Sequence, residues 1–172
     1  VEEIWGAEWD EGSNYRGMRQ FGASMSPLDR LIVAAATSGS SDAVPTILEK
    51  LRRLDHDSDF SHLRACTLAF ERRPTPEAAP QFERILTGWP VLGRAGGSLS
   101  DSLRDLPTHA TDNEQRNEQL KRLMVARGLL ACGDPNGEAV RVLEEYAKSM
   151  HGVYARHAAA LKAHARPAAT RA

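Results

Sequence analysis

The densest group of side chains in this chain that could do chemistry is His56, Asp57, Ser58, Asp59 and His62. Two imidazoles and two carboxylates this close could hold a divalent metal through nitrogen and oxygen. The competing assignment is helix initiation, because Asp and Ser at a helix N-terminus accept hydrogen bonds from unpaired amides and face the positive end of the dipole. An apolar series begins at once, with Phe60, Leu63, Cys66, Leu68, Ala69 and Phe70. Capping is therefore the favoured reading.

Other reactive groups are weaker still. Arg94, Asp101 and His109 could furnish a small enzyme site within the glycine-rich stretch 88–110. Gly93-Arg94-Ala95-Gly96-Gly97 resembles a phosphate loop only in glycine content, lacking the strand before it and the Lys-Ser/Thr after it. No nucleophile stands at motif spacing from a base, and no dinucleotide-binding Gly-x-Gly-x-x-Gly occurs. His62-Leu63-Arg64 and Arg156-His157 lie early in two helical patterns. Arginines there either meet a partner or, the favoured use, lay their stems across a neighbouring element and donate to a loop carbonyl. Cys66 and Cys132 sit inside apolar helical patterns and read as small buried hydrophobes, with a disulfide between neighbouring units as the alternative. No catalytic set emerges.

The elements that would position these residues follow from bulk properties and periodicity. A chain of 172 residues fits one domain able to bury a core without disulfide or metal. The net charge of -1 lacks the basic excess of a nucleic-acid surface. No run approaches the roughly 18 apolar residues needed to cross a bilayer, so a soluble domain contacting no membrane is expected, its compartment unassigned. Beginning at Val1 without Met or a signal-type segment, the sequence reads as a fragment or a processed chain.

Helical grammar starts at Ser26-Pro27, an N-cap with proline in the first turn, and Asp29 adds an anion there. Leu28, Leu31, Ile32, Ala35 and Ala36 form one apolar face, and Gly39 ends the helix. A second helix after Ser41 buries Val44, Ile47, Leu48 and Leu51 and leaves Glu49, Lys50, Arg52 and Arg53 in water. The helix from Phe60 has apolar residues on more than one face, as an inner helix should. Thr75-Pro76-Glu77 opens the next, with Phe82, Ile85 and Leu86 as its stripe. Residues 112–131 form a long helix with Leu120, Leu123, Met124 and Leu130 inward, stopped at Gly133. Ala139, Val142, Leu143, Tyr146 and Met150 mark its partner, and 153–165 a last helix with Tyr154, Ala158, Leu161 and Ala165 inward. The expected fold class is all-α, an α-α superhelix with about seven main helices in hairpin pairs.

Three stretches within this series are nearly alike: Ala43-Val44-Pro45-Thr46-Ile47-Leu48-Glu49-Lys50-Leu51, Ala78-Ala79-Pro80-Gln81-Phe82-Glu83-Arg84-Ile85-Leu86 and Ala139-Val140-Arg141-Val142-Leu143-Glu144-Glu145-Tyr146-Ala147. The first two lie 35 residues apart, about the length of a two-helix unit, and Pro45 and Pro80 match. Such self-similarity marks stacked units that cannot bury an apolar face alone. The expected organisation is an irregular aromatic-rich arm at 1–25, a repeat domain at 26–166 with an insertion at 88–111, and a frayed tail at 167–172. The insertion explains why the third copy trails the second by 61 residues. Residues 1–24 hold five acids against two arginines, and 152–172 hold four Arg or Lys and no acid. Solvated ends are favoured over dedicated charged surfaces for both.

The alternation of 61–70 with 77–86 resembles the HEAT-like repeats of the phycobilisome-lyase type, an Arg-Ala-Ala-rich inner helix followed by an Ala-Val-Pro-x-Leu-Leu outer one. More narrowly, Asn14-Tyr15-Arg16-Gly17-Met18-Arg19-Gln20-Phe21-Gly22, Ser26-Pro27-Leu28-Asp29-Arg30, Asp59-Phe60-Ser61-His62, Cys132-Gly133-Asp134 and Ala155-Arg156-His157-Ala158 resemble the C-terminal region of large bacterial FAD-dependent oxidoreductases. That likeness implies an accessory helical domain following an FAD-binding portion. It places no cofactor, no metal and no catalytic residue in this chain.

The leading expectation is a non-catalytic domain contacting a protein or an adjoining domain of its own protein. Its candidate interface residues are Trp5, Trp9, Tyr15, Arg16, Arg19 and Phe21 in the arm and Arg94 in the insertion. A free-standing HEAT-like scaffold for a protein partner is the alternative, ahead of the small enzyme at 88–110.

Overall fold

The computed structural model describes residues 1–6, 25–89, 112–149 and 153–164. The regular structure of these residues is entirely helical, and the fold class is all-α. A short helix α1 (Glu2–Gly6) comes first, followed by α2 (Pro27–Thr37), α3 (Ala43–Arg52) and α4 (Phe60–Arg72). A 3-10 turn (Pro76–Ala78) leads into α5 (Ala79–Gly88), and α6 (Asp112–Ala131), α7 (Glu138–Ser149) and α8 (Val153–His164) complete the described residues. Seven of the eight α-helices stand where periodicity puts them. The exception is α1, a helical turn at the start of a segment read as irregular. Residues 7–24 of that arm, nearly all of the insertion (90–111) and the tail lie outside the described residues.

Local chemistry explains the boundaries. Ser26 and Asp29 form a reciprocal capping box, Ser26 Oγ accepting from Asp29 N at 3.1 Å and Asp29 Oδ2 from Ser26 N at 2.9 Å. Thr75 and Pro76 start a 3-10 turn rather than the α-helix itself, which waits for Ala79, with Pro80 in its first turn. Pro80 has no N–H to offer, and there none is needed. Asp134, at φ 41°, accepts from the amides of Ala139 and Val140, both at 3.0 Å, and so caps α7.

Two series of contacts run through the structure. Helix α2 packs on α4 and α4 on α6, while α3 meets α5 and α5 meets α7. Helix α8 packs on α7, and α1 lies against α2 and α3. Side chains from every α-helix join one core. Ala43, Ile47 and Leu51 of α3 are buried, as are Ala78, Phe82 and Leu86, and Ala139 and Leu143. The three similar stretches thus place like residues at like depths.

Burial corrects several sequence assignments. Lys50, expected in water, is 1% exposed, because Ala43, Thr46, Ile47 and Lys50 lie at helical spacing on one buried face. Leu31, assigned to the stripe of α2, is 37% exposed, and the polar Asp29 takes an inward position. In α6 the buried residues include Val125, Ala126 and Leu129, whereas Leu120, Met124 and Leu130 are only partly covered. That helix touches α4, α5 and α7, so no single stripe describes it. Met150 and Ala165 lie outside the described residues.

Candidate functional site

Of the seven candidate interface residues only Trp5 is among the described residues; Trp9, Tyr15, Arg16, Arg19, Phe21 and Arg94 lie outside them, as do Asp101 and His109. Around Trp5 the chain closes one helical turn, with the amides of Ile4 and Trp5 both donating to Val1 O at 3.0 Å. Glu2 and Glu3 occupy the first turn, where the dipole favours anions. Adjacent positions then diverge: Ile4 is 2% exposed and Trp5 57%. Ile4 enters the core on the α2 and α3 side. The Lys50 ammonium, sequestered on α3, donates to the Trp5 carbonyl at 3.2 Å. Its alkyl stem covers apolar surface while its head answers the open end of α1. The result is an indole presented outward from a turn that is anchored beneath.

The histidines separate instead of gathering. His62 Nδ1 lies 3.0 Å from Oδ1 of Asp29, a carboxylate sealed from solvent and already bonded by the Ser26 amide. Its Nε2 is 4.0 Å from Asp59 Oδ2. His56 faces the other way, 3.4 Å from Asp57 and with its ring 6.1 Å from that of Trp89. Among the described residues no three His, Cys, Asp or Glu side chains are arranged to hold a metal. Asp59 stands at the N-cap of α4, yet its side chain makes no capping bond. The organising residue of this loop is Asp55, which the sequence reading passed over. Its Oδ1 accepts from the amides of Asp57 at 3.0 Å and Ser58 at 2.9 Å and from Ser58 Oγ at 2.9 Å. Partial burial pushes the Asp55 carboxyl up, but the bonds from Ser58 and Asp57 together outweigh it and hold it below its ordinary value.

Both cysteines are free and buried, so they form no disulfide with each other. Burial pushes the Cys66 thiol far up, and the charge of Asp29 adds to this. Burial raises the Cys132 thiol as well, against a smaller opposing hydrogen bond from the Thr75 backbone. A thiol kept protonated is a poor nucleophile and ligand. The Asp29–His62 bond likewise acts as a polar tie between α2 and α4, since no substrate can reach a carboxylate with no exposed surface.

Basic residues serve loop carbonyls. Arg84 of α5 donates to the carbonyls of Arg52 at 3.2 Å and Leu54 at 2.7 Å, closing the end of α3. Arg73 reaches Ser40 O at 3.0 Å, and Lys121 reaches His56 O at 3.2 Å. Arg84 and Arg73 thus show the use expected of an arginine whose head bonds a loop carbonyl. Ile4, Lys50 and Asp55 are residues whose roles sequence reasoning missed. The spacing of Lys50 from Ala43 and Ile47 was the one available signal.

No family model, curated protein or solved structure matches this chain.

Proposed function

We propose that this chain is a non-catalytic interaction domain of HEAT-like repeats, the accessory helical portion of a larger FAD-dependent oxidoreductase. Trp5 lies at its junction with the adjoining domain or protein. The observation that carries the reading is the pairing of an exposed indole at Trp5 with a buried anchor at Ile4 and a buried cation at Lys50. Exposed aromatic side chains held by a fixed backbone are what interfaces use as anchors. The repeat assignment draws support from the equal depths of Ala43, Ala78 and Ala139 and from the two contact series, α2–α4–α6 and α3–α5–α7. The flavin assignment rests on the sequence resemblance alone.

The free-standing scaffold is the second reading, favoured by the exposure of Leu31 on α2. Hydrogen exchange separates the two when the full reading frame is expressed beside the present chain. Added protection at residues 1–6 in the longer protein, lost in Trp5→Ala, is the expected result, together with bound flavin visible by absorbance. Unchanged exchange at residues 1–6 in the longer protein would sink the junction.

A further inference from the structure

Of the asparagines in this chain only Asn136 is followed by glycine. The pair is exposed, in the turn that joins α6 to α7. A backbone nitrogen reaches the preceding side-chain amide most easily when its own residue carries no Cβ, which is why asparagine before glycine is chemically labile. Gly137 has φ 74°, and a Cβ there would meet nothing within 4 Å outside its chain neighbours, so water has open access to this nitrogen. Two hydrogen bonds hold the reacting groups apart. Gly137 N donates to Asp134 O at 3.1 Å, and Asn136 Nδ2 donates to Glu83 Oε1 of α5 at 2.7 Å. The second is an exposed bond between side chains, and α7 is capped separately, by the Asp134 carboxylate on the amides of Ala139 and Val140. The turn can therefore open locally while α7 stays formed.

We propose that Asn136-Gly137 is a spontaneous modification site whose product releases the α6–α7 turn from α5. Hydroxide takes the Gly137 amide proton, the nitrogen bonds to Asn136 Cγ, and the Cγ–Nδ2 bond breaks as the departing nitrogen takes a proton from water and leaves as ammonia. The cyclic imide then adds water and opens at one of its two C–N bonds. Breaking the side-chain bond gives aspartate, and breaking the backbone bond gives isoaspartate. An amide and a water become a carboxylate and an ammonium ion, and nothing is oxidised or reduced. Either product replaces a donor facing Glu83 with a second carboxylate, so an attraction becomes a like-charge contact. Isoaspartate also adds a methylene to the backbone between the capping residue Asp134 and the amides it caps. The first turn of α7 then loses part of its cap. None of this depends on a junction at Trp5.

The test incubates the full chain in mildly alkaline buffer and maps its peptides by mass spectrometry over time, beside a synthetic peptide of residues 131–141. Aspartate and isoaspartate accumulate at position 136 of the folded chain, faster as pH rises. Glu83→Ala frees the departing amide and speeds the conversion by about two- to fivefold, the factor that an exposed hydrogen bond contributes to a closed state. Hydrogen exchange at Ala139 and Val140 quickens in the converted fraction and in freshly made Asn136→Asp, and stays slow in Asn136→Gln carried through the same incubation. An intact Asn136 in the folded chain when the peptide has converted overturns the site. Equal rates in wild type and Glu83→Ala overturn the latch, and conversion that leaves exchange at Ala139 and Val140 unchanged overturns the release.

Discussion

Gly128 shows how one missing methyl sets a contact between helices. A Cβ at this position in α6 would lie 2.6 Å from two ring carbons of Phe82 on α5. Phe82 cannot retreat, because it is buried and stands edge-on to Phe70 with centroids 5.8 Å apart. Gly128→Ala gains about 1 kcal/mol of helix propensity but overpacks the site at a typical cost of about 1 to 3 kcal/mol. Urea denaturation should show net destabilisation, and Phe82→Leu in the same chain should relieve part of it. A second prediction at this scale concerns Asp55, whose folded carboxyl titrates below the ordinary value of 3.8. The stability it confers is complete above that ordinary value and is lost as pH falls through the lower, folded one. Stability curves of the wild type and Asp55→Ala should therefore be separated at neutral pH and converge in acid; parallel curves down to strong acid would refute the assignment. The thiol of Cys66 has the opposite sign. Only the unfolded state ionises near the ordinary value of 9.0, so this group erodes stability as pH rises above it.

At the scale of elements, neighbouring helices are tied by groups that reach across several tens of residues. Arg127 and Glu71 join α6 to α4 with two bonds of 2.9 Å, and Thr67 Oγ1 donates to Met124 O at 3.2 Å across the same contact. Arg84 holds the end of α3 through two carbonyls. Arg84→Met keeps the stem and removes both bonds, and should lower stability by about 1 to 3 kcal/mol in urea denaturation, since each bond is worth about 0.5 to 1.5 kcal/mol. Arg84→Lys should recover at most part of that loss, because a single ammonium lacks the guanidinium fork. None of these ties has a local signature. The sequence marks helices where the signal is local: Ser26-Pro27-Leu28-Asp29 writes its own cap, and Ala139, Val142, Leu143 and Tyr146 write their own stripe. Periodicity loses its power in α6, which is covered by three neighbours, and residue type misleads at Lys50, whose spacing is that of a core position. The candidate site was legible only as an aromatic at Trp5. That its backbone would be fastened by a lysine 45 positions later depends on how α1 meets α3, which no window of sequence contains.

For the whole molecule, the order of the contacts predicts an order of opening. Where each helix leans mainly on its neighbours in a series, local stability follows the number of sides on which a helix is covered. Helix α4 lies between α2 and α6, and α6 between α4 and α7 with α5 against it. Helix α8 rests chiefly on α7, through Ala158, the partly covered Leu161 and the pair of Lys162 with Glu144 at 2.6 Å. That pair is solvent-exposed, and the hydrogen bond and charge of Lys162 hold the Glu144 carboxyl below its ordinary value without sheltering it from salt. Native-state hydrogen exchange should therefore find α8 opening first among the longer helices, by a route that leaves α4 and α6 protected. Lys162→Ala should change the global midpoint little. Leu161→Ala removes apolar contact from the one face that docks and should speed exchange in α8 well before it affects α4. Simultaneous loss of protection in α4, α6 and α8 under mild denaturant would show one cooperative unit, and the nearest-neighbour account of this fold would then be wrong.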